Sequence, residues 1–338
     1  MRFIMIKIMR AVCILIILSC VSFVYSQTKN LVLVKSFPDP DSKDKDNFLV
    51  HPYDVDFYRN NYIVTDAEEC CLKIFSEKGD FIQKIGSKGH GPGELIDPFF
   101  SAVDTSTGNI YCVDQGNNRI VCYTKNGKYL KDIKTPFAID DIKYYRHKIY
   151  IVVNNPANHK FINIYDKEGK LYKSFGEIFE PEILSLKFGY MLVNSNIQLN
   201  IYNDKIYAIY GALPIVQVYD KHGDYLKTLY LKMKGWKKLY KKNKKGAKTI
   251  KNHRIEVARW LGGVCIDNGL FYCYSSYFSG KLFVFDKTGN VVDEIRFKNK
   301  MTKTELAMHR FIRKDGNKFI FVDILNAQIK IYELQSGN

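Results

Sequence analysis

Asp66, Asp114, Asn154, Ser275 and Asp323 each close an apolar run of similar length, and together they offer oxygen ligands of the kind that hold Ca²⁺. Converging on one axis, such groups would hold a divalent cation able to polarise a carbonyl or activate water, the chemistry of a metal-assisted hydrolase or lyase. The competing role is structural, because Asp and Asn accept hydrogen bonds from the backbone amides of their own turn. That role carries more weight: Asp114-Gln115-Gly116-Asn117-Asn118-Arg119 belongs to a repeated phrase, and a related unit has Tyr210-Gly211 at this place. Asp56, Asp104 and Asp267 end a different set of runs and read as turn caps on the opposite face. His90 lies in a glycine-rich stretch, Gly86 to Glu94, that is neither a Walker loop nor a dinucleotide fingerprint and reads as a tight crossover. Its imidazole could titrate near neutral pH or bind a metal. The other six histidines are scattered, with no HExxH, no GxSxG elbow and no cysteine beside a credible histidine partner. Without a complete catalytic constellation, the sequence reads as a non-enzymatic binding or interaction module, with no resident cofactor expected beyond the Ca²⁺ alternative.

The formal charge is +16, which attracts polyanions without specifying a fold. Much of it sits in Lys232–Arg254, where eleven Lys or Arg and no acids are interleaved with Trp236, Leu239, Tyr240 and Ile250. Aromatic rings among cations can stack on bases or sugars. Export, argued below, speaks against nucleic acid, so an anionic glycan, an acidic protein or a membrane surface is the expected partner; a solvated loop or short helix is the plain alternative.

These residues must be positioned by something, and the chain says nearly the same thing five times: FSEKGDFIQKI, YTKNGKYLKDI, YDKEGKLYKSF, YDKHGDYLKTL and FDKTGNVVDEI, with a truncated sixth copy, YELQSGN. The glycines fall at 79, 127, 169, 223, 289 and 337. Internal repetition of this period marks a repeat architecture. Each unit reads as three alternating apolar runs followed by a glycine turn and a fourth run, a pattern of strands joined by hairpins. Composition agrees, with 24 Tyr and 22 Phe favouring strands. Four-stranded units in series predict an all-β, six-bladed β-propeller. The last unit lacks its fourth strand, while NLVLVKSF (Asn30 to Phe37) is an orphan resembling one, so it is expected to complete the last blade and close the ring.

The stretch IGSKGHGPGELIDP with AVDTSTGNIYCVDQGNNRIVCYTKNGKYL, Ile85 to Leu130, resembles the NHL-repeat consensus. Tyr62 to Leu95 is similar to exported six-bladed propellers of Bacteroidetes, and the likeness fades to pattern level beyond the second unit. The resemblance implies an NHL-like six-bladed propeller in a Gram-negative envelope and implies no reaction. The architecture is also similar to lactonase-like six-bladed enzymes, and it is that likeness which suggests Ca²⁺ at a channel mouth.

Arg2, Lys7 and Arg10 precede the apolar run Ala11 to Tyr25, and Ser26 is a small residue before Gln27, so residues 1–26 read as a signal peptide and 27–338 as a single propeller domain. Cys20 loosely resembles a lipobox cysteine, which would give an outer-membrane lipoprotein in place of a free periplasmic or secreted protein. No later stretch reaches the ~18 consecutive apolar residues of a membrane span, and a monomer is expected. Six cysteines remain after residue 26. Cys112 with Cys122, and Cys265 with Cys273, lie on consecutive runs and either bridge or pack as small buried hydrophobes. Long second-to-third and between-unit connections gather on one face, and that face, over the central channel, is where ligand contact is expected.

Overall fold

The computed structural model describes residues 29–42, 46–135, 138–153, 160–177, 197–239, 241–242, 259–278 and 280–336. The alternating runs become strands, and the five complete glycine phrases become the turns between the third and fourth strands of their units, whereas Tyr332–Ser336 of the last copy continues a strand. Four sheets of four strands follow one another: β2(Pro52–Tyr58) to β5(Phe81–Ile85), β6(Pro98–Val103) to β9(Tyr129–Lys134), β10(Ile139–Tyr145) to β13(Leu171–Glu177), and β14(Ile197–Tyr202) to β17(Tyr225–Tyr230). The remaining strands form one eight-stranded sheet. It joins β18(Gly263–Asp267) through β21(Val291–Phe297) to β22(His309–Asp315), β23(Lys318–Asp323) and β24(Gln328–Ser336), with β1(Lys29–Phe37) between β21 and β24. β1 runs antiparallel to β24 from Lys29 opposite Ser336 to Phe37 opposite Ile329, and meets β21 in parallel only at Asn30 and Leu31. A six-residue helix, α1(Lys303–Met308), precedes β22.

Apolar side chains alternate along the middle strands and fill the spaces between successive sheets. Ile63, Leu72 and Ile74 meet Ile110, Cys112 and Val121 between the first two sheets. Similar clusters follow at each later junction. One more joins Ile320, Val322, Ile329 and Ile331 to Val55, Tyr62, Val64 and Phe75 of the first sheet, with Phe37 of β1 among them. The recurring glycine serves these junctions as well as its turn. Gly127 has φ +80°, and a Cβ there would lie 2.9 Å from Ile85 of the preceding sheet's fourth strand, so any larger residue would be strained twice over.

The cysteine pairs do not bridge. Cys112 lies opposite Val121 and Cys122 opposite Tyr111, and that one-residue offset sends the two sulfurs to opposite faces of the sheet. Cys112 accordingly packs between the first two sheets and Cys122 between the second and third. Cys265 and Cys273 are offset in the same way. All six cysteines from Cys70 onward are free, and five are buried. Among the described residues no helix is long and apolar enough to cross a membrane. The proposed signal segment and Cys20 lie outside the described residues.

Candidate functional site

The first strand of each unit stands at an end of its sheet, so one row of its backbone amides and carbonyls has no strand to pair with. Buried backbone groups of this kind need partners, and side chains from the neighbouring first strand provide them. Asp54 Oδ2 accepts from the Ser101 amide (3.1 Å) and Asp56 Oδ2 from the Val103 amide (3.0 Å), both from β2 to β6. Asp141 Oδ2 accepts from the Leu199 amide (2.7 Å), and Asn200 Oδ1 from the Ile266 amide (3.2 Å). From β22 back to β2, Arg310 donates to the Tyr53 carbonyl (3.1 Å) and Arg313 to Asp56 (3.1 Å). Asp56 is therefore not a cap of its own turn, as the strand pattern suggested, but a link between sheets. Asp104 does cap its turn: partial burial pulls its pKa up, and hydrogen bonds from Ser106, Thr107 and Tyr144 prevail and hold it below the usual carboxylate range.

Residues of the first strands of all the units line a cavity of about 300 Å³. Its wall carries charges of both signs. Carboxylates come from β2 (Asp54, Asp56) and β10 (Asp140, Asp141), and cations mainly from β22 (Arg310, Arg313, Lys314), with Lys143 opposite. Lys143 is paired to Asp141 at 2.7 Å, Arg313 to Asp56 at 3.1 Å, and Lys314 to Asp267 at 2.5 Å. Burial pushes the Asp54 carboxyl up to about 6 against the opposing pull of Lys143, the Ser101 amide and Arg310, with Asp141 adding to the rise.

A carboxyl that holds its proton more tightly when folded stabilises the fold below pH ~4 and loses that contribution as pH rises towards 6. Asp54→Asn keeps an acceptor for the Ser101 amide and removes the charge. The variant is expected to exceed the wild type in stability by about 1–3 kcal/mol at pH 7, the lower part of that range reflecting the face that Asp54 opens to the cavity. The gap should close near pH 4 in urea titrations, and a gap that does not change with pH would refute the assignment.

The residues first singled out lie elsewhere. Asp66 is fully buried and accepts from the amides of Val50, His51 and Glu69. Asp114 accepts from the amides of Ile96 and Asp97 and from Asn117 and Arg119. Asp323 takes the Asn326 amide and side chain and pairs with Lys330. Ser275 is buried, its hydroxyl without a hydrogen-bond partner among the described residues. None of the four lines the axial cavity, and among the described residues no three His, Cys, Asp or Glu side chains come together as a metal site. His90 is exposed, its Nδ1 2.6 Å from Asn117 Oδ1. Trp236 packs half-buried against two inter-sheet clusters, beside buried Leu239. Asn154, Tyr240 and most of the lysine-rich segment lie outside the described residues. Missed by sequence reasoning were Asp54, Asp141 and Asn200; their one signal is a polar residue interrupting a first run, as in YDVDF or LNIY.

Among solved structures the chain resembles a member of the DUF4221 family from Bacteroides vulgatus, with a TM-score of 0.62 and 11% identity over 91% of this chain and 98% of that one. A Bacteroides fragilis protein described as exported gives 0.60 and 10%, over 93% and 97%. The Swd1 β-propeller domain of Myceliophteria thermophila gives 0.52 and 8%, over 90% and 100%. At such identities the likeness is one of fold, and the fold is a β-propeller. No curated protein matches. A family model matches residues 44–225, more than half of the chain, and the protein therefore belongs to the family described as Domain of unknown function (DUF4934).

Proposed function

We propose that this protein is an exported, non-enzymatic binding module: a six-bladed propeller, closed by β1, that takes a small polar ligand in its axial cavity from the long-loop face. The observation that carries this reading is the cavity, about 300 Å³, at the lower end of the size of small-molecule sites. Its wall is made by first strands of every unit and carries charges of both signs, so a ligand entering it meets oriented polar groups on the sheet frame. Six blades are counted from the six sets of successive strands. Closure rests on Gly79, which packs against Phe37 of β1 as Gly127 packs against Ile85 of β5. The NHL-like phrase of Ile85 to Leu130 is, on this reading, the blade unit itself. Binding is preferred to metal-assisted hydrolysis because Asp66, Asp114 and Asp323 already serve backbone amides. Export follows from residues 1–26 together with the exported relative, and the mature chain would work in the periplasm or outside the cell.

The test is a thermal-shift panel on residues 27–338, with amino acids, organic acids, sugars and nucleotides as separate classes. One class is expected to raise the melting temperature saturably, since a ligand at 100 times its Kd adds about 2.7 kcal/mol of stability. Gln198→Trp, which fills the cavity from β14, should abolish the shift. No saturable shift with any class, or a shift that survives Gln198→Trp, would overturn the reading.

A further inference from the structure

Resting on that reading, we propose that the ligand is a small planar carboxylate, held by its acid group on Arg310 and by its ring on Tyr53, Phe99 and Phe100. Arg310 differs from the other cations of the wall. Lys143, Arg313 and Lys314 each have a carboxylate within ion-pair distance, whereas no carboxylate among the described residues pairs with Arg310. Among the described residues its hydrogen bond goes to the Tyr53 carbonyl, 3.1 Å away, which leaves most of its five donors for a ligand. Its guanidinium carbon lies 4.3 Å from the centre of the Tyr53 ring and 5.7 Å from that of Phe100, and stacking of this kind fixes the fork without spending its donors. The rings form a cluster at the starts of β2 and β6. Tyr53 is edge-on to Phe99 at 4.4 Å and to Phe100 at 5.2 Å, and all three are only partly buried. Arg259 interacts electrostatically with Asp140, Tyr53 and Arg310. A partly exposed aromatic cluster beside a guanidinium with no carboxylate at ion-pair distance among the described residues suits a ligand with a flat apolar body and one acid, because the fork matches a carboxylate in a bidentate fashion.

Calorimetry on residues 27–338 with benzoate as the probe tests this. Benzoate should bind saturably with one site per chain. Benzamide, which keeps the ring and loses the charge, should bind at least tenfold more weakly to the same wild-type protein, a comparison that needs no variant to fold. Cyclohexanecarboxylate, which keeps the charge and loses the flat ring, should also be weaker. Arg310→Gln should lower benzoate affinity by tenfold or more, and Tyr53→Leu by several-fold. Equal binding of benzoate and benzamide, or full benzoate affinity in Arg310→Gln, would overturn the proposal. If benzoate fails while another class in the thermal-shift panel binds in a Gln198-sensitive way, the planar-acid assignment falls and the binding reading stands; if no class binds, both fall.

Discussion

A chain lacking residues 27–37 is expected to lose its cooperative thermal transition or to melt well below the mature protein. β1 serves two junctions at once. Leu31, 1% exposed, packs with Tyr274, Phe311, Phe321 and Tyr332. Phe37, 3% exposed, packs with Tyr62 and Phe75 at ring-centre distances of 4.9 and 5.4 Å. Truncating either to Ala should cost about 2–5 kcal/mol through the lost contacts and the cavity left behind. Deleting the strand removes both and strips β24 of the partner it has along eight registered pairs. It also exposes Ile329 and Ile331, which are otherwise buried. The combined loss approaches the ~5–15 kcal/mol that holds a typical domain together. Leu31→Ala and Phe37→Ala, measured singly, should fall between the intact and deleted chains. A deleted chain that melts within about 2 °C of the intact one would show that β1 does not close the ring.

The repeat made most of the architecture legible. Glycine turns, alternating runs and the orphan Asn30 to Phe37 all have a local period, and local period is what sequence displays. The links between first strands were hidden for the opposite reason. Asp54 meets Ser101, 47 residues on; Asp141 meets Leu199, 58 on; and Asn200 meets Ile266, 66 on. Nothing in YDVDF says that its carboxylates answer the bare amides of another sheet. Asp66 and Asp114 were visible as a recurring position, and the backbone-amide role was foreseen. Its targets were not the residues of their own turns alone, since Val50, His51, Ile96 and Asp97 all lie in the connections leading into their sheets. The cysteines show the same limit. Neighbouring runs placed Cys112 near Cys122, and only the register revealed that one residue of offset separates the sulfurs by a whole sheet. Nothing in RFIR sets Arg310 apart, because what distinguishes it is having no carboxylate at ion-pair distance among the described residues, a feature of three-dimensional neighbours.

Arg119→Ala should be the most damaging single substitution near the glycine-rich crossover. Arg119 is 8% exposed, and its guanidinium makes four contacts at once: Nε to Asp114 (3.1 Å), Nη1 to Asp132 (2.7 Å), and Nη2 to the carbonyls of Gly91 (3.0 Å) and Glu94 (2.6 Å). Asp114 is fully buried, so removing Arg119 strands its charge, a change that costs about 3–5 kcal/mol in buried pairs. At roughly 2–4 °C per kcal/mol for a domain of this size or somewhat smaller, the melt should fall by about 6–20 °C. Arg119→Lys should recover only part of this, because an ammonium is a point charge and cannot reach two carboxylates and two carbonyls in one plane. The stranded charge can be separated from lost packing by adding Asp114→Asn. If the charge dominates, the double variant should be more stable than the sum of the two single losses requires, by 1 kcal/mol or more on the usual scale for coupled neighbours. Strict additivity would assign the loss to packing. The crossover should report the same event locally: in Arg119→Ala the amides of Gly89 and Leu95, which bond to the Leu95 and Ser87 carbonyls at 3.0 and 2.8 Å, should exchange with solvent faster than the amides of β8(Arg119–Tyr123). Unchanged protection there would mean that the loop holds its shape without the arginine, and that Arg119 serves Asp114 and Asp132 alone.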